Sequence, residues 1–343
     1  MVGHWSRGRY ICQPSLDPAD TLASFAAGIL SLPAEFLYLR ITLKFAYRYR
    51  MRDVYAYTVQ AKDRAIVFPD RPLIMGIVNV TTDSFFDGGR YLQTDEAVAH
   101  ALRLVEEGAD LIDLGAESTR PGSDPIDEHE ECRRLLPVVE VLSQAVRVPL
   151  SIDTTKSSIA RAALDAGAHV INDVSALRAD LHMAEVVAQR GAGIVLMHMQ
   201  GTPKTMQHAP RYKDVVAEIS AFFEERMAYA TELGITQSQI VLDPGIGFGK
   251  LPVHNLTLLA QLQRFTELGA PLLVGVSRKA FLGQIVDRPV GDRLWATAAA
   301  VALAVEQGAG ILRVHDVKAM KDVVQVATAL RRHMIPTMKE QHA

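Results

Sequence analysis

Asp153, Asn172, Asp243 and Lys279 are side chains suited to one kind of ligand, a neutral flat heterocycle with adjacent amide and amino groups. Carboxylates accept from ring N–H groups, while Asn and Lys donate to a ring nitrogen and a carbonyl oxygen. A second set, Asn79, Arg120, Arg313 and His315, suits an oxyanion. Arginine offers a fork to phosphate, and Asn an oxygen to a hydrated divalent cation. A heterocycle and a phosphate held in one mouth describe an activated substrate. Taken singly, each residue has an ordinary explanation, because such side chains also cap helices and shape turns. Their shared position argues for more: each stands at or just after the end of a short apolar run.

The stretch Gln239 to Lys250 shows the unit. Ile240-Val241-Leu242 reads as a buried strand, Asp243 stands at its end, and a turn carrying Gly245, Gly247 and Gly249 leads into a helix-like segment. The glycines let main chain pass close to a flat ligand. From Leu73 onward the same alternation recurs. Strand-like runs begin at Leu73, Leu111, Val148, Val170, Gly193, Ile240, Leu272 and Ile311. The helical stretches between and after them include Asp95 to Glu107, Glu128 to Val146, Lys156 to Ala166, Val215 to Leu233, Asn255 to Leu268 and Val317 to His333. Glycines at 108, 167, 191, 269 and 308 stand just past helix ends, where a left-handed cap is needed. About eight strand–helix units in this length match a (β/α)8 barrel. A doubly wound open sheet is the alternative, with fewer units and a switch in strand order.

Barrel enzymes work at the face where strands end. The positions there are Asn79, Glu117 to Arg120, Asp153, Asn172-Asp173, His198, Asp243, Ser277-Arg278-Lys279, Arg313 and His315. Two long polar loops, Asn79 to Gly89 and Ala116 to Ser123, read as mobile covers over that face. Phe85-Phe86 in the first is unusual for a solvated segment and suits a ligand contact.

The 343 residues are 49% hydrophobic and 22% charged, enough for one large domain and a small addition. A formal net charge of −3 offers no general attraction for nucleic acid or an anionic membrane, so an anionic ligand must be held by local basic groups. Cys12 and Cys132 lie far apart and form no metal or redox pattern, which points to a reducing, cytoplasmic compartment without disulfides. Residues 1–70 read as an extension and 71–338 as the barrel domain. The apolar run Leu22 to Leu32 is too short to span a bilayer, and Met51 is a candidate alternative start. Arg64 to Pro72 reads as a small hairpin or lid leading into the first strand.

With these residues in place the chain resembles the dihydropteroate synthase family of pterin-binding enzymes. The resemblance is carried by Met75-Gly76-Ile77-Val78-Asn79-Val80-Thr81, Glu117-Ser118-Thr119-Arg120-Pro121-Gly122, Ser151-Ile152-Asp153-Thr154, Ile171-Asn172-Asp173, Leu196-Met197-His198-Met199-Gln200-Gly201, Asp243 to Lys250, Ser277-Arg278-Lys279 and Arg313-Val314-His315-Asp316-Val317. It implies a TIM-type barrel and a transferase of folate biosynthesis that condenses 6-hydroxymethyl-7,8-dihydropterin diphosphate with p-aminobenzoate, with Mg2+ as cofactor and a homodimer formed through late helices. Asp153, Asn172, Asp243 and Lys279 would hold the pterin, with Met197, Phe248 and Gly275 lining its slot. Arg313, His315 and Asn79 would bind diphosphate, and Asn79 would ligate the metal. Arg313, His315, Lys279 and Asp153 would carry the catalytic work. Thr119, Arg120, Pro121, Phe85 and Ser277 would frame the aminobenzoate site.

Thr82 stands where the family usually has Pro, Phe86 where it usually has Ser, and Ala116 where it usually has Gly. Competing readings are a methyltetrahydrofolate methyltransferase domain and a silent pterin-binding paralogue. The first should lack the diphosphate residues and the Thr119-Arg120-Pro121 loop, both present here. A zinc hydrolase on the same barrel would need clustered histidines, and His198 and His315 are lone ones.

Overall fold

The computed structural model describes residues 57–80, 89–118 and 122–334, all within one compact unit that begins at Asp53. It opens with an antiparallel hairpin, β1 (Thr58–Ala61) and β2 (Arg64–Val67). Eight parallel strands follow: β3 (Leu73–Asn79), β4 (Leu111–Gly115), β5 (Leu150–Asp153), β6 (Val170–Asp173), β7 (Gly193–Met197), β8 (Ile240–Asp243), β9 (Leu273–Val274) and β10 (Ile311–Val314). They run in the order β8-β7-β6-β5-β4-β3-β10-β9. A bridge between Leu242 and Leu272 joins the two ends, with the Leu242 amide donating to the Pro271 carbonyl at 3.0 Å. The sheet is thereby a barrel, as the strand–helix count predicts.

The helices are α1 (Gly89–Glu106), α2 (Glu128–Ala145), α3 (Ser157–Asp165), α4 (Met183–Arg190), α5 (Val215–Glu232), α6 (Pro252–Ala260), α7 (Ala280–Val286), α8 (Leu294–Glu306) and α9 (Val317–Met334). Their starts are built locally: the Asp127 carboxylate accepts from the Glu130 amide at 2.8 Å, and Asp214 accepts from the Val216 and Ala217 amides. Gly108, Gly167, Gly191, Gly269 and Gly308 all have positive φ, as the expected caps require. Two details differ from the sequence reading. The expected helix from Asn255 to Leu268 is α6 followed by a separate 3-10 segment, Leu262–Leu268, and the short α7 has no counterpart in the apolar spacing.

Strand alternation divides the core into two layers. Ile74, Val78, Ile112, Leu114, Ile152, Ile171, Ile194, Leu196, Leu242, Val274 and Leu312 face the helices in one large cluster. Leu73, Met75, Leu111, Val170, Val195, Val241, Leu273 and Ile311 point into the barrel and meet Val59, Ala61, Ile66 and Phe68 of the hairpin region. Because most of these inward residues open their strands, the hairpin closes the barrel at the end where strands start. It is a plug at the floor, opposite the mouth.

Candidate active site

The same alternation determines which strand-end residues enter the mouth. A residue two places after an inward floor residue also points inward. Leu111 is followed by Asp113, Val170 by Asn172, Val195 by Met197, Val241 by Asp243, Leu273 by Gly275, and Ile311 by Arg313. These inward positions converge. Asp153, Asn172, Asp243, Lys279 and Arg313, with Val174, Met197, Ile246, Phe248 and Gly275, line a single cleft.

Parity also explains the strand-end residues that stay out of it. Asp173 is one place past Asn172 and points the other way. Its carboxylate accepts from the Ser175 amide and hydroxyl and from the Leu177 amide, an ordinary turn role. His198, one place past Met197, packs edge-on against Phe222 of α5, with ring centroids 4.8 Å apart. Burial, aided by the Lys250 ammonium, holds the His198 ring well below the usual range, at about 2. It is a core group.

Within the cleft the charges are paired. Arg313 Nε donates to Asp113 Oδ2 at 2.6 Å and its Nη2 to Asp153 Oδ2 at 3.0 Å. Asp113 is fully buried and also accepts from Ser151 Oγ at 2.6 Å and Asn172 Nδ2 at 3.2 Å. Burial works against the Arg313 charge, but Asp113 and Asp153 outweigh it and raise its pKa. Asp153 and Asp243 are both shifted upward, with burial as the chief cause in each, Asp153 to about 7. Lys279 is lowered to about 8 by burial and by Arg313, with Asp243 and Asp153 opposing. Its Nζ sits 4.1 Å from the centre of the Phe248 ring.

The loop after β8 is shaped by close approach. Gly245 has φ of +64°, and a Cβ there would fall 2.0 Å from the His198 carbonyl oxygen, so no other residue fits. The buried Lys250 then ties the loop down, donating to the His198 carbonyl at 3.2 Å and the Phe248 carbonyl at 2.9 Å, with His198 Nδ1 at 3.0 Å. Burial brings this amine down to about 7.

Ser277 and His315 form a pair beside the cleft: Ser277 Oγ lies 2.9 Å from His315 Nδ1 and accepts from the His315 amide at 3.2 Å. Asn79 ends β3 on the exposed rim. Thr119, Arg120, Pro121 and Phe85, with Thr82 and Phe86, lie outside the described residues. Asp113 lies inside β4 and not past its end, where the other site residues cluster. Its signal was an acidic residue inside the apolar run Leu111 to Leu114, since a carboxylate is buried at large cost unless paired.

The chain is also similar to known proteins in order and shape. The model of a family described as pterin binding enzyme matches residues 75–315. A dihydropteroate synthase of Synechocystis sp. is 45% identical over 263 residues, which is 76% of this chain and 91% of that relative. The solved structure of Xanthomonas albilineans dihydropteroate synthase with 4-aminobenzoic acid is 47% identical, with a TM-score of 0.74 over 80% of this chain and 99% of the other. A structure of the X. albilineans enzyme with 7,8-dihydropteroate is 44% identical, with a TM-score of 0.68 over 76% and 94% of the two chains. A barrel with inward acidic and basic groups meeting in one cleft, matched over most of its length by these relatives, belongs to the dihydropteroate synthase family of pterin-binding enzymes.

Proposed function

We propose that the cleft holds 6-hydroxymethyl-7,8-dihydropterin diphosphate and that the chain couples it to p-aminobenzoate, releasing diphosphate and 7,8-dihydropteroate. The observation that carries this is the convergence of Asp153, Asn172, Asp243, Lys279 and Arg313 on one cleft. Ionised Asp243 and Asp153 accept from the pterin N–H edges, Asn172 meets a ring nitrogen, and protonated Lys279 donates to the ring carbonyl. Met197, Phe248 and Gly275 form the flat walls. Arg313, fixed by two carboxylates, lies against the ring and faces the diphosphate with His315 and Asn79.

An arylamine is a modest nucleophile, so the economical route breaks the methylene C–O bond first. The electron pair leaves with diphosphate, and the methylene cation is stabilised by the electron-rich dihydropterin beside Asp153 and Asp243. The arylamine nitrogen then forms the new C–N bond, and its surplus proton passes to the released diphosphate. Arg313 and His315 stabilise charge growing on the departing group. No residue acts as a covalent nucleophile. Thr119, Arg120, Pro121, Phe85 and Ser277 frame the aminobenzoate, and a closed mouth protects the cation from water.

Among the described residues, no three His, Cys, Asp or Glu are grouped to hold a metal ion. The single amide oxygen of Asn79 at the rim would hold Mg2+. When bound there, the ion would neutralise charge on the diphosphate.

Among the described residues no helix is long and apolar enough to cross a membrane. Leu303 of α8 and Val326 and Leu330 of α9 remain exposed on two helices that pack side by side, which supports a homodimer with a second copy covering them. Diphosphate release tests the function. Continued turnover should require p-aminobenzoate and yield 7,8-dihydropteroate and diphosphate in equal amount. Tight pterin binding with no release would indicate a silent paralogue instead.

A further inference from the structure

We propose that Arg278, clasped to Asp316, is a positioning residue that places Lys279 in the ring cleft and Ser277 against His315 at the same time. This deepens the pterin reading above and rests on it. Arg278 has φ of +57°, a left-handed conformation that costs any residue with a Cβ, and it sits between two residues of the site. Such strain persists only where surrounding groups hold it. Here both of its peptide groups are held: its amide donates to Oγ1 of the fully buried Thr297 at 3.0 Å, and its carbonyl accepts from Arg293 Nη1 at 3.0 Å.

The side chain adds a fork. Arg278 Nε donates to Asp316 Oδ2 at 3.0 Å and Nη2 to Asp316 Oδ1 at 2.5 Å. The fork matters because the strand ladder stops short. β9 pairs with β10 only at Leu273 with Ile311 and Val274 with Leu312. Lys279 lies five residues beyond that ladder and His315 three. Past Val274 the spacing of the two segments is therefore set by side chains, namely the Ser277–His315 pair and the Arg278–Asp316 fork. A bidentate fork fixes direction as well as distance. The left-handed turn at Arg278 then sends Lys279 toward Phe248.

Both fork partners are partly solvent-exposed, at 37% and 23%, so the pair should add little to global stability while still setting local geometry. That contrast gives the test. Arg278→Gln, Asp316→Asn and the double variant are compared with wild type for thermal unfolding and for binding of 6-hydroxymethylpterin, which reads the ring cleft alone. The same set is assayed for kcat and KM with the pterin diphosphate. The expected result is a melting temperature close to wild type, about tenfold weaker pterin binding in each single variant, and a double variant no worse than either single one. Arg278→Gly should lose as much as Arg278→Gln, because relief of strain does not restore the fork. Unchanged pterin affinity in the variants, or losses that multiply in the double variant, would overturn the clasp while leaving the pterin reading intact. Failure of the wild type to bind pterin would remove that reading and this inference together.

Discussion

Arg313 Nε lies 2.6 Å from Oδ2 of Asp113, a carboxylate with no solvent exposure in the middle of β4. The guanidinium that faces the cleft is thus aimed from below by a residue that touches neither its rim nor the solvent. Asp113→Asn keeps the volume and removes the charge. Breaking one side of a buried charged hydrogen bond costs about 3 kcal/mol, which corresponds to a fall of roughly two orders of magnitude in kcat/KM for the pterin diphosphate. Steady-state kinetics read this directly. A variant within a few-fold of wild type would show that Arg313 is oriented by Asp153 alone.

Pterin affinity should peak near neutral pH. Lys279 donates to the ring only while protonated, and its pKa is lowered to about 8, so binding weakens as pH rises through that value. On the acid side Asp153, raised to about 7, and Asp243, also raised, stop accepting as they take up protons. Calorimetric titration of pterin from acid to alkaline pH should show both limbs. Lys279→Met should abolish the alkaline limb and lower affinity throughout, while the far-ultraviolet dichroism stays that of wild type.

Lys156 Nζ lies 2.5 Å from both Glu117 Oε2 and Glu131 Oε2, and Glu131 is only 1% exposed. The other Glu131 oxygen accepts from Thr154 Oγ1 at 2.7 Å, directly beside Asp153. Lys156→Met leaves a buried carboxylate without its cation, and the expected destabilisation is about 3 kcal/mol. Denaturant unfolding measures it. Adding Glu131→Gln to the same chain should recover a large part of the loss, because the cost lies in the uncompensated charge.

Phe68 is 5% exposed and meets the inward residues of the barrel floor. Phe68→Ala should destabilise the protein by about 3 kcal/mol through the cavity it leaves. Pterin affinity, measured below the melting transition, should stay unchanged, because the plug is at the end remote from the cleft. A loss of affinity as large as that of stability would place the hairpin nearer the mouth than the packing does.

Much of this molecule was legible in the chain alone. Short runs such as Ile240-Val241-Leu242, each followed by a helical stretch and a glycine cap, are local signals: burial on both faces demands continuous apolar residues, and a left-handed cap demands Gly. They were sufficient for the barrel, and with it for the face on which Asp153, Asn172, Asp243, Lys279 and Arg313 would meet. Individual choices at that face were not local. Whether Asn172 or Asp173 enters the cleft depends on strand parity, which is anchored by floor residues such as Val170 meeting the hairpin, and a one-residue error exchanges them.

Asp113 became visible as a site residue only when Arg313, two hundred positions away, was brought to it. The fork of Arg278 on Asp316 likewise joins segments whose pairing has no sequence signature. Residue types and apolar spacing therefore determined the architecture and the candidate chemistry. Long-range packing decided which side chains face each other and how their charges are shared, because those energies depend on distance and burial, quantities that exist only in the folded chain.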